Sequence, residues 1–177
     1  MRNRGWIAFI TIITVLVFAC GQSQSPNQLW NKAKQLSQEE NYSEAIDIYE
    51  SILDMEAVSD TVLAKTHFTL ADLYLNQEKK YQQALNYYRE VTENYSASLW
   101  GPKAQFMIGY VYANHIHNYK EAEKEYQRFL DIYPTHELVN AVNFELKYLG
   151  EDLDQIKNLD FLQSSDASAA QEMDNEQ

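Results

Sequence analysis

A period of 38 residues runs through most of this chain and constrains its fold more than any other feature. Aromatic residues recur at this spacing, at Trp30, Phe68, Phe106 and Phe144. Two further columns keep the same spacing, Ala33/Ala71/Gly109 and Leu36/Tyr74/Tyr112. A third set follows 39 and then 38 residues apart, Tyr42/Ala45/Tyr49, Tyr81/Ala84/Tyr88 and Tyr119/Ala122/Tyr126. Because independent columns agree on one period, the chain is predicted to be a stack of similar structural units.

Each unit is predicted to be a pair of antiparallel α-helices, so the predicted fold is all-α. Large apolar residues fall at i, i+3 and i+4 spacing, as at Ile108, Val111 and Tyr112, which is typical of an amphipathic helix. Small residues on both helices allow the two helices to approach closely. The predicted small helix-packing positions are Ala33, Ala45, Ala71, Ala84, Gly109 and Ala122.

Residues 27–134 resemble three tetratricopeptide repeats (TPRs). The resemblance rests on the small residue, the aromatic residue three positions later, the Tyr-x-x-Ala-x-x-x-Tyr pattern, and Pro134 just past the third pair. It implies a TPR-type α-solenoid of about three helix pairs plus a C-terminal capping helix, placed at residues 29–162. Loops one residue longer than usual are predicted at Leu75–Lys80 and Ala113–Asn118, and a long link at Asp54–Asp60.

The array is predicted to end after the third pair. Residues 139–149 repeat the first-helix pattern, but Lys147 stands where the earlier units have Ala or Gly. A lysine at that position prevents the close approach of another helix, so this helix should be a cap that stops near Gly150. The apolar positions of residues 151–162 suit a segment that folds back on the cap, and residues 163–177, with four acids and no base, should form a disordered acidic tail.

The N-terminus is predicted to be a signal peptide of residues 1–19. Arg2 and Arg4 precede an uncharged stretch of 14 residues, which at 1.5 Å per residue is too short for a helix to cross a bilayer core of about 30 Å. The sequence Leu16-Val17-Phe18-Ala19-Cys20 resembles a bacterial lipobox, which implies lipidation of Cys20 and a lipidated tether at residues 20–28. Ordinary secretion, with cleavage after Ala19, and an uncleaved anchor are the alternatives.

Composition and motifs argue against catalysis and against nucleic acid as a partner. The formal net charge of the chain is -12, and no basic run follows Arg4, whereas phosphate binding needs clustered Lys or Arg. No nucleophile motif, phosphate loop or metal-ligand spacing occurs. His115 and His117 lie two apart in a predicted loop without a third ligand nearby in sequence. We therefore expect a non-enzyme without metal or cofactor.

The TPR resemblance also implies a groove lined by the first helix of each pair. The positions carried over are Trp30, Lys34 and Gln38 in the first pair, Lys65, Phe68, Asp72 and Asn76 in the second, and Lys103, Phe106, Tyr110 and Asn114 in the third. Two alternatives stay open for these side chains. The aromatic residues also suit packing between repeats, and the lysines also suit a solvated rim.

A lipobox combined with few repeats resembles the lipoprotein subunit of the outer-membrane β-barrel assembly machinery and the TPR domain of periplasmic cell-division coordinators. The resemblance implies a scaffold that binds protein partners in the bacterial cell envelope, held on the periplasmic face of the outer membrane by lipid on Cys20. A pilotin-like chaperone or targeting factor is the main alternative. Peptidoglycan binding through the aromatic column is a further one.

Overall fold

Seven α-helices and no strand make up the part of the chain that the computed structural model describes, residues 24–151. The predicted all-α fold is thereby confirmed. The predicted signal peptide, Cys20, the predicted fold-back segment and the predicted acidic tail lie outside the described residues, apart from Glu151. The helices are α1 (Pro26–Gln38), α2 (Tyr42–Leu53), α3 (Asp60–Asn76), α4 (Tyr81–Asn94), α5 (Gly101–Val111), α6 (Tyr119–Ile132) and α7 (Val139–Lys147).

The first helix begins at Pro26, so three residues that the sequence analysis assigned to the tether are helical. A capping box fixes this start. The backbone N–H of Gln28 donates to the Ser25 hydroxyl at 3.3 Å, and the backbone N–H of Ser25 donates to the Gln28 side-chain oxygen at 2.9 Å. Proline at the first helical position needs no N–H partner, which makes Pro26 a favourable first residue rather than part of a tether.

Consecutive helices pair as α1–α2, α3–α4 and α5–α6, and each pair packs on the next through α2–α3 and α4–α5. The three aligned tyrosines of the second helices, Tyr49, Tyr88 and Tyr126, are at most 1 % exposed and fill the space between helices. Around them lie the predicted small positions, of which the five alanines are 0 % exposed and Gly109 is buried. A Cβ on Gly109 would come within 2.5 Å of the Tyr126 ring, so this column admits no larger residue there.

The turn inside each pair contains a residue with positive φ at the same place in the repeat: Glu40, Lys79 and His117, with φ of 62°, 54° and 57°. The following residue donates its backbone N–H to a carbonyl of the aligned 36/74/112 column, at 2.9 Å in all three turns. The donor and acceptor are five residues apart in the first turn and six apart in the other two. The extra residue of repeats two and three is thus taken up by a wider last turn of the helix.

This widening corrects the two predicted loops. Helix α3 continues through Leu75 to Asn76, and residues Tyr112–Ile116 form a π-helical turn directly after α5. A π turn holds one more residue per turn than an α-helix, which is how the chain keeps its backbone hydrogen-bonded across an insertion. Six of the twelve residues predicted as loop are therefore helical.

Helix α7 packs on α6 through Val142, which is 0 % exposed. It ends at Lys147, two residues earlier than predicted, and Gly150 follows with φ of 80°, a conformation that suits glycine. Within the described residues, none of the helices has the length and apolar character needed to cross a membrane.

Candidate partner-binding groove

A cleft of about 290 Å³ opens between the first helices of the first two pairs, α1 and α3, which touch each other directly. We call it the α1–α3 cleft. Five of the eleven predicted groove residues line it: Trp30, Lys34, Gln38, Asp72 and Asn76. Five others that the sequence analysis did not select complete the wall: Ser37, Tyr49, Thr69, Leu73 and Gln77.

Trp30 lines the cleft and packs against a second aromatic residue of its wall. Its ring centroid lies 5.8 Å from that of Tyr49, and its indole Nε1 is buried without a hydrogen-bond partner among the described residues. The Lys65 ammonium reaches across from α3 to 3.0 Å from the Trp30 ring centroid, and the Lys34 ammonium lies 6.0 Å from the same centroid. Burial and then the neighbouring charge of Lys34 lower the pKa of Lys65. Two cations therefore lie near one indole ring.

Asp72 lies at the base of the cleft and belongs to the scaffold as well as to the wall. The Tyr88 hydroxyl donates a short hydrogen bond to its carboxylate. Burial raises the pKa of Asp72, and this hydrogen bond, which favours the charged form, works against the rise. Burial and the facing carboxylate also raise the pKa of Tyr88. The hydrogen bond between Tyr88 and Asp72 joins α4 to α3 next to the α1–α3 cleft.

The Tyr88→Phe chain is expected to lose about 1–3 kcal/mol of unfolding free energy at pH 7, because a half-buried carboxylate is left without its donor. The folded-state pKa of Asp72 already lies above its ordinary value of 3.8, so ionisation of this carboxyl opposes folding above that pKa and has no effect below 3.8. Removing the hydroxyl enlarges that opposition. Urea unfolding should therefore show a loss that shrinks as the pH falls from 7 towards 3.8.

Tyr119→Phe is the control for this measurement, because Tyr119 is 43 % exposed and no described partner accepts from its hydroxyl. It should change the unfolding free energy little at any pH. A loss for Tyr88→Phe that is the same at pH 7 and near pH 4 would contradict the role given to the Asp72 carboxylate.

The other predicted groove residues lie outside the α1–α3 cleft. Phe68 packs edge-on against Tyr88, with ring centroids 5.4 Å apart, and packs at a tilt against Trp100, with ring centroids 5.0 Å apart. The ring centroids of Phe106 and Tyr126 are 5.9 Å apart. The Phe68–Tyr88 and Phe106–Tyr126 contacts lie within a helix pair, and only the Phe68–Trp100 contact joins neighbouring pairs. Lys103 is exposed, with its ammonium 5.3 Å from the Trp100 ring centroid.

Towards the far end of the array, Tyr110 and Asn114 belong to a second aromatic group. The Asn114 side chain donates to the Tyr110 carbonyl at 3.2 Å, and His115 stacks on Tyr81 at 4.9 Å and meets Tyr110 at 5.7 Å. The His115 ring is thus engaged by aromatic neighbours. No group of three or more metal-ligating side chains is found in residues 24–151.

Trp100 is the functional candidate that the sequence analysis missed. It lies outside the 38-residue columns, in the connection before α5, and comes between Phe68 and Lys103 only through the packing of the second pair on the third. Its one sequence signal is the position directly before Gly101-Pro102, the start of a helix. The structure therefore places one tryptophan–lysine group at α1–α3 and another at the start of α5.

Comparison with known proteins identifies the repeats. The sequence model of the family described as tetratricopeptide repeat matches residues 66–98 and 103–136, which correspond to the α3–α4 and α5–α6 pairs. Among curated proteins, none matches the chain. The α1–α2 pair, outside the matched segments, packs on α3 as a further hairpin of the same kind. The chain therefore contains tetratricopeptide repeats arranged in an all-α array.

Proposed function

We propose that this protein is a lipid-anchored scaffold of the bacterial cell envelope that holds a protein partner in the α1–α3 cleft. The observation that carries the proposal is the cleft itself, where Trp30, Lys34 and the amides of Gln38 and Asn76 share one open wall. The Lys65 ammonium lies against the Trp30 ring and adds a second cation beside this wall. Such a wall offers an aromatic surface, cations and amide groups to a bound chain. None of these side chains forms a nucleophile and base pair.

A protein partner is favoured by the repeats. Tetratricopeptide repeats mediate protein–protein contacts and are typically non-catalytic. Stacked helix pairs hold an extended surface in a fixed shape, so a partner segment binds without ordering the scaffold. The fully buried tyrosines and alanines between the helices support this rigidity, because they leave little space for the helices to move.

The location in the envelope rests on the N-terminal sequence. Arg2 and Arg4, the uncharged stretch and Cys20 at the end of a lipobox-like motif favour export and lipidation. The acidic net charge of -12 disfavours direct adsorption to an anionic membrane, which leaves the lipid on Cys20 as the attachment. On this basis we propose a role in the assembly of envelope proteins, at the periplasmic face of the outer membrane.

Site-specific photocrosslinking in the native cell tests the groove. A photoreactive residue at Gln38 or Asn76, both exposed in the cleft, is expected to capture the same protein partner. The matched controls are Gln83 and Asn86, which are exposed amides on α4, away from the cleft. Equal capture from all four positions, or capture from the α4 positions alone, would rule out the cleft as the binding site.

A further inference from the structure

Charge is divided unequally between the two helices of the pairs. The first helices, α1, α3 and α5, carry four lysines and two aspartates, and α1 and α5 contain no acid. The second helices, α2, α4 and α6, carry nine acidic and four basic residues. In a chain with a net charge of -12, the wall formed by the first helices is thus net positive. This wall favours an anionic occupant.

Three of its lysines have their charge available to such an occupant. Within residues 24–151, no carboxylate lies within 4.0 Å of the ammonium of Lys34, Lys65 or Lys103. Each of the three lies instead against a tryptophan ring. Lys32, by contrast, pairs with Glu44 at 3.8 Å. A cation on an indole face retains most of its attraction for a carboxylate, and we call these three side chains the lysine row.

The acids on the first helices do not cancel the lysine row. Asp72 is half-buried and already accepts from the Tyr88 hydroxyl, and Asp60 lies at the N-terminus of α3, where the helix dipole favours a negative charge. The surface that remains for a bound chain therefore presents ammonium groups, tryptophan rings and side-chain amides, with the Asp72 carboxylate as the one acid that lines the α1–α3 cleft.

We propose that the acidic C-terminal tail of this same chain, residues 163–177, binds along the lysine row and covers the partner-binding groove. The charges are complementary, because the tail contains four acids and no base. They are Asp166, Glu172, Asp174 and Glu176. The inference uses the groove of the proposed function, but it concerns an intramolecular contact that exists in the isolated protein.

The length of chain after the described residues is sufficient. Fourteen residues separate Glu151 from Asp166, and they span up to about 50 Å when extended, so tail binding requires residues 151–162 to leave the cap that their apolar spacing suits. The helix contacts lead from α7 through α6, α5, α4 and α3 to α1, five steps that cover about 40–50 Å at 8–10 Å for each contact. A covalent link of this kind gives an effective concentration of about 1 mM, so an intrinsic dissociation constant near 1 mM is enough to occupy about half of the molecules.

Tail binding would make the scaffold self-inhibited. A partner that enters the groove has to displace the tail, so its apparent affinity falls by the fraction of molecules that are open, about twofold at half occupancy. Partners with a stronger anionic segment displace the tail more readily than neutral ones. The contact should weaken at high salt, because exposed charges are screened over about 8 Å at physiological ionic strength and over less above it.

Paramagnetic broadening in the full chain, held in detergent micelles, tests this contact. The chain has a single cysteine, so Cys20→Ser with Ser168→Cys provides one site for a spin label on the tail. Trp30 and Trp100, two of the three tryptophans, report from the two ends of the lysine row, and Trp6→Phe simplifies their assignment. The indole N–H signals of both are expected to lose at least half of their intensity, because rapid exchange averages the added relaxation rate over a bound fraction of about one half.

Neutralising the four tail acids to Asn or Gln should restore both signals. The matched control removes four exposed acids from the second helices instead, with Asp47→Asn, Glu93→Gln, Glu123→Gln and Asp131→Asn. That control has the same net charge as the neutral-tail chain and should keep the broadening. Unbroadened indole signals in the labelled parent, or equal recovery in both charge variants, would overturn the proposal.

The outcome is independent of partner capture. If the tail broadens both indole signals but crosslinks at Gln38 and Asn76 capture no protein, the tail contact stands and the proposed scaffold function fails. If crosslinking succeeds and the indole signals are unaffected, the scaffold function stands and the tail contact is wrong.

Discussion

The Ala84→Lys chain is expected to lose about 4 kcal/mol or more of unfolding free energy. Ala84 is 0 % exposed, on the face of α4 that packs in the common core. A lysine there introduces three further carbon atoms into filled space and an ammonium charge without a partner. Overpacking alone costs about 1–3 kcal/mol, and an unpaired buried charge adds to it. Since domains of this size are stable by about 5–15 kcal/mol, thermal denaturation should show a much lower midpoint or no folded state.

The control is Gln83→Lys, one residue earlier on the same helix and exposed. It adds the same side chain to the same helix, so the change in net charge is the same in both chains, and the changes in helix propensity differ by less than about 0.7 kcal/mol. Its melting temperature should stay close to that of the parent chain. An Ala84→Lys chain that melts with the control would mean that the 38-residue columns do not mark the helix contacts.

The helix pairs could be predicted from the sequence because the buried positions recur once in each helix pair, every 38 or 39 residues. A tyrosine at the same place in each second helix has to be accommodated by a small residue at the same place in a first helix. Gly109 and Tyr126 show this relation directly, because a Cβ on Gly109 would lie within 2.5 Å of the ring. Such pairs leave a spacing that is visible in the sequence without any knowledge of the structure.

The turns could not be predicted in the same way. The left-handed residues at the three aligned turns are Glu, Lys and His, whereas the usual sequence signal for this conformation is Gly or Asn. The wider last turns of α3 and α5 depend on which carbonyl the next N–H reaches, a choice made by the packing of the whole pair. The helix ends were therefore predicted less accurately than the helix faces.

For the groove, the sequence predicted positions on a helix face but not contacts between helices. Lys65 and Trp30 are 35 residues apart and meet only because α3 packs beside α1. Phe68 and Trp100 are brought together by the next step of the array. Side chains from one column share a packing contact, since Trp30 packs on Tyr49 as Phe106 packs on the aligned Tyr126. Trp30 also lines the α1–α3 cleft, which depends on the neighbouring helix and not on the column.

The Cys20→Ser chain is expected to be soluble or unprocessed, with no processed chain left in the membrane. The proposed lipid on Cys20 contributes about 0.8 kcal/mol for each buried methylene, so several acyl chains exceed any attraction that the acidic body has for the membrane. Within residues 24–151 no helix is suited to cross the bilayer in its place. Detergent-phase partitioning of the processed chain, with incorporation of labelled palmitate, measures the effect. Both signals should be present for the parent and absent for the variant.

Moving the cysteine separates lipidation from a general requirement for a thiol. The chain with Cys20→Ser and Ser23→Cys keeps one cysteine, but displaces it by three residues from the lipobox-like motif. It should remain in the aqueous phase and take up no palmitate, like Cys20→Ser alone. Ordinary secretion predicts that the parent is aqueous too, and an uncleaved anchor predicts that all three chains stay in the membrane at precursor size. Either result would contradict the lipid anchor, because only a thioether at Cys20 makes membrane attachment depend on this one sulfur atom.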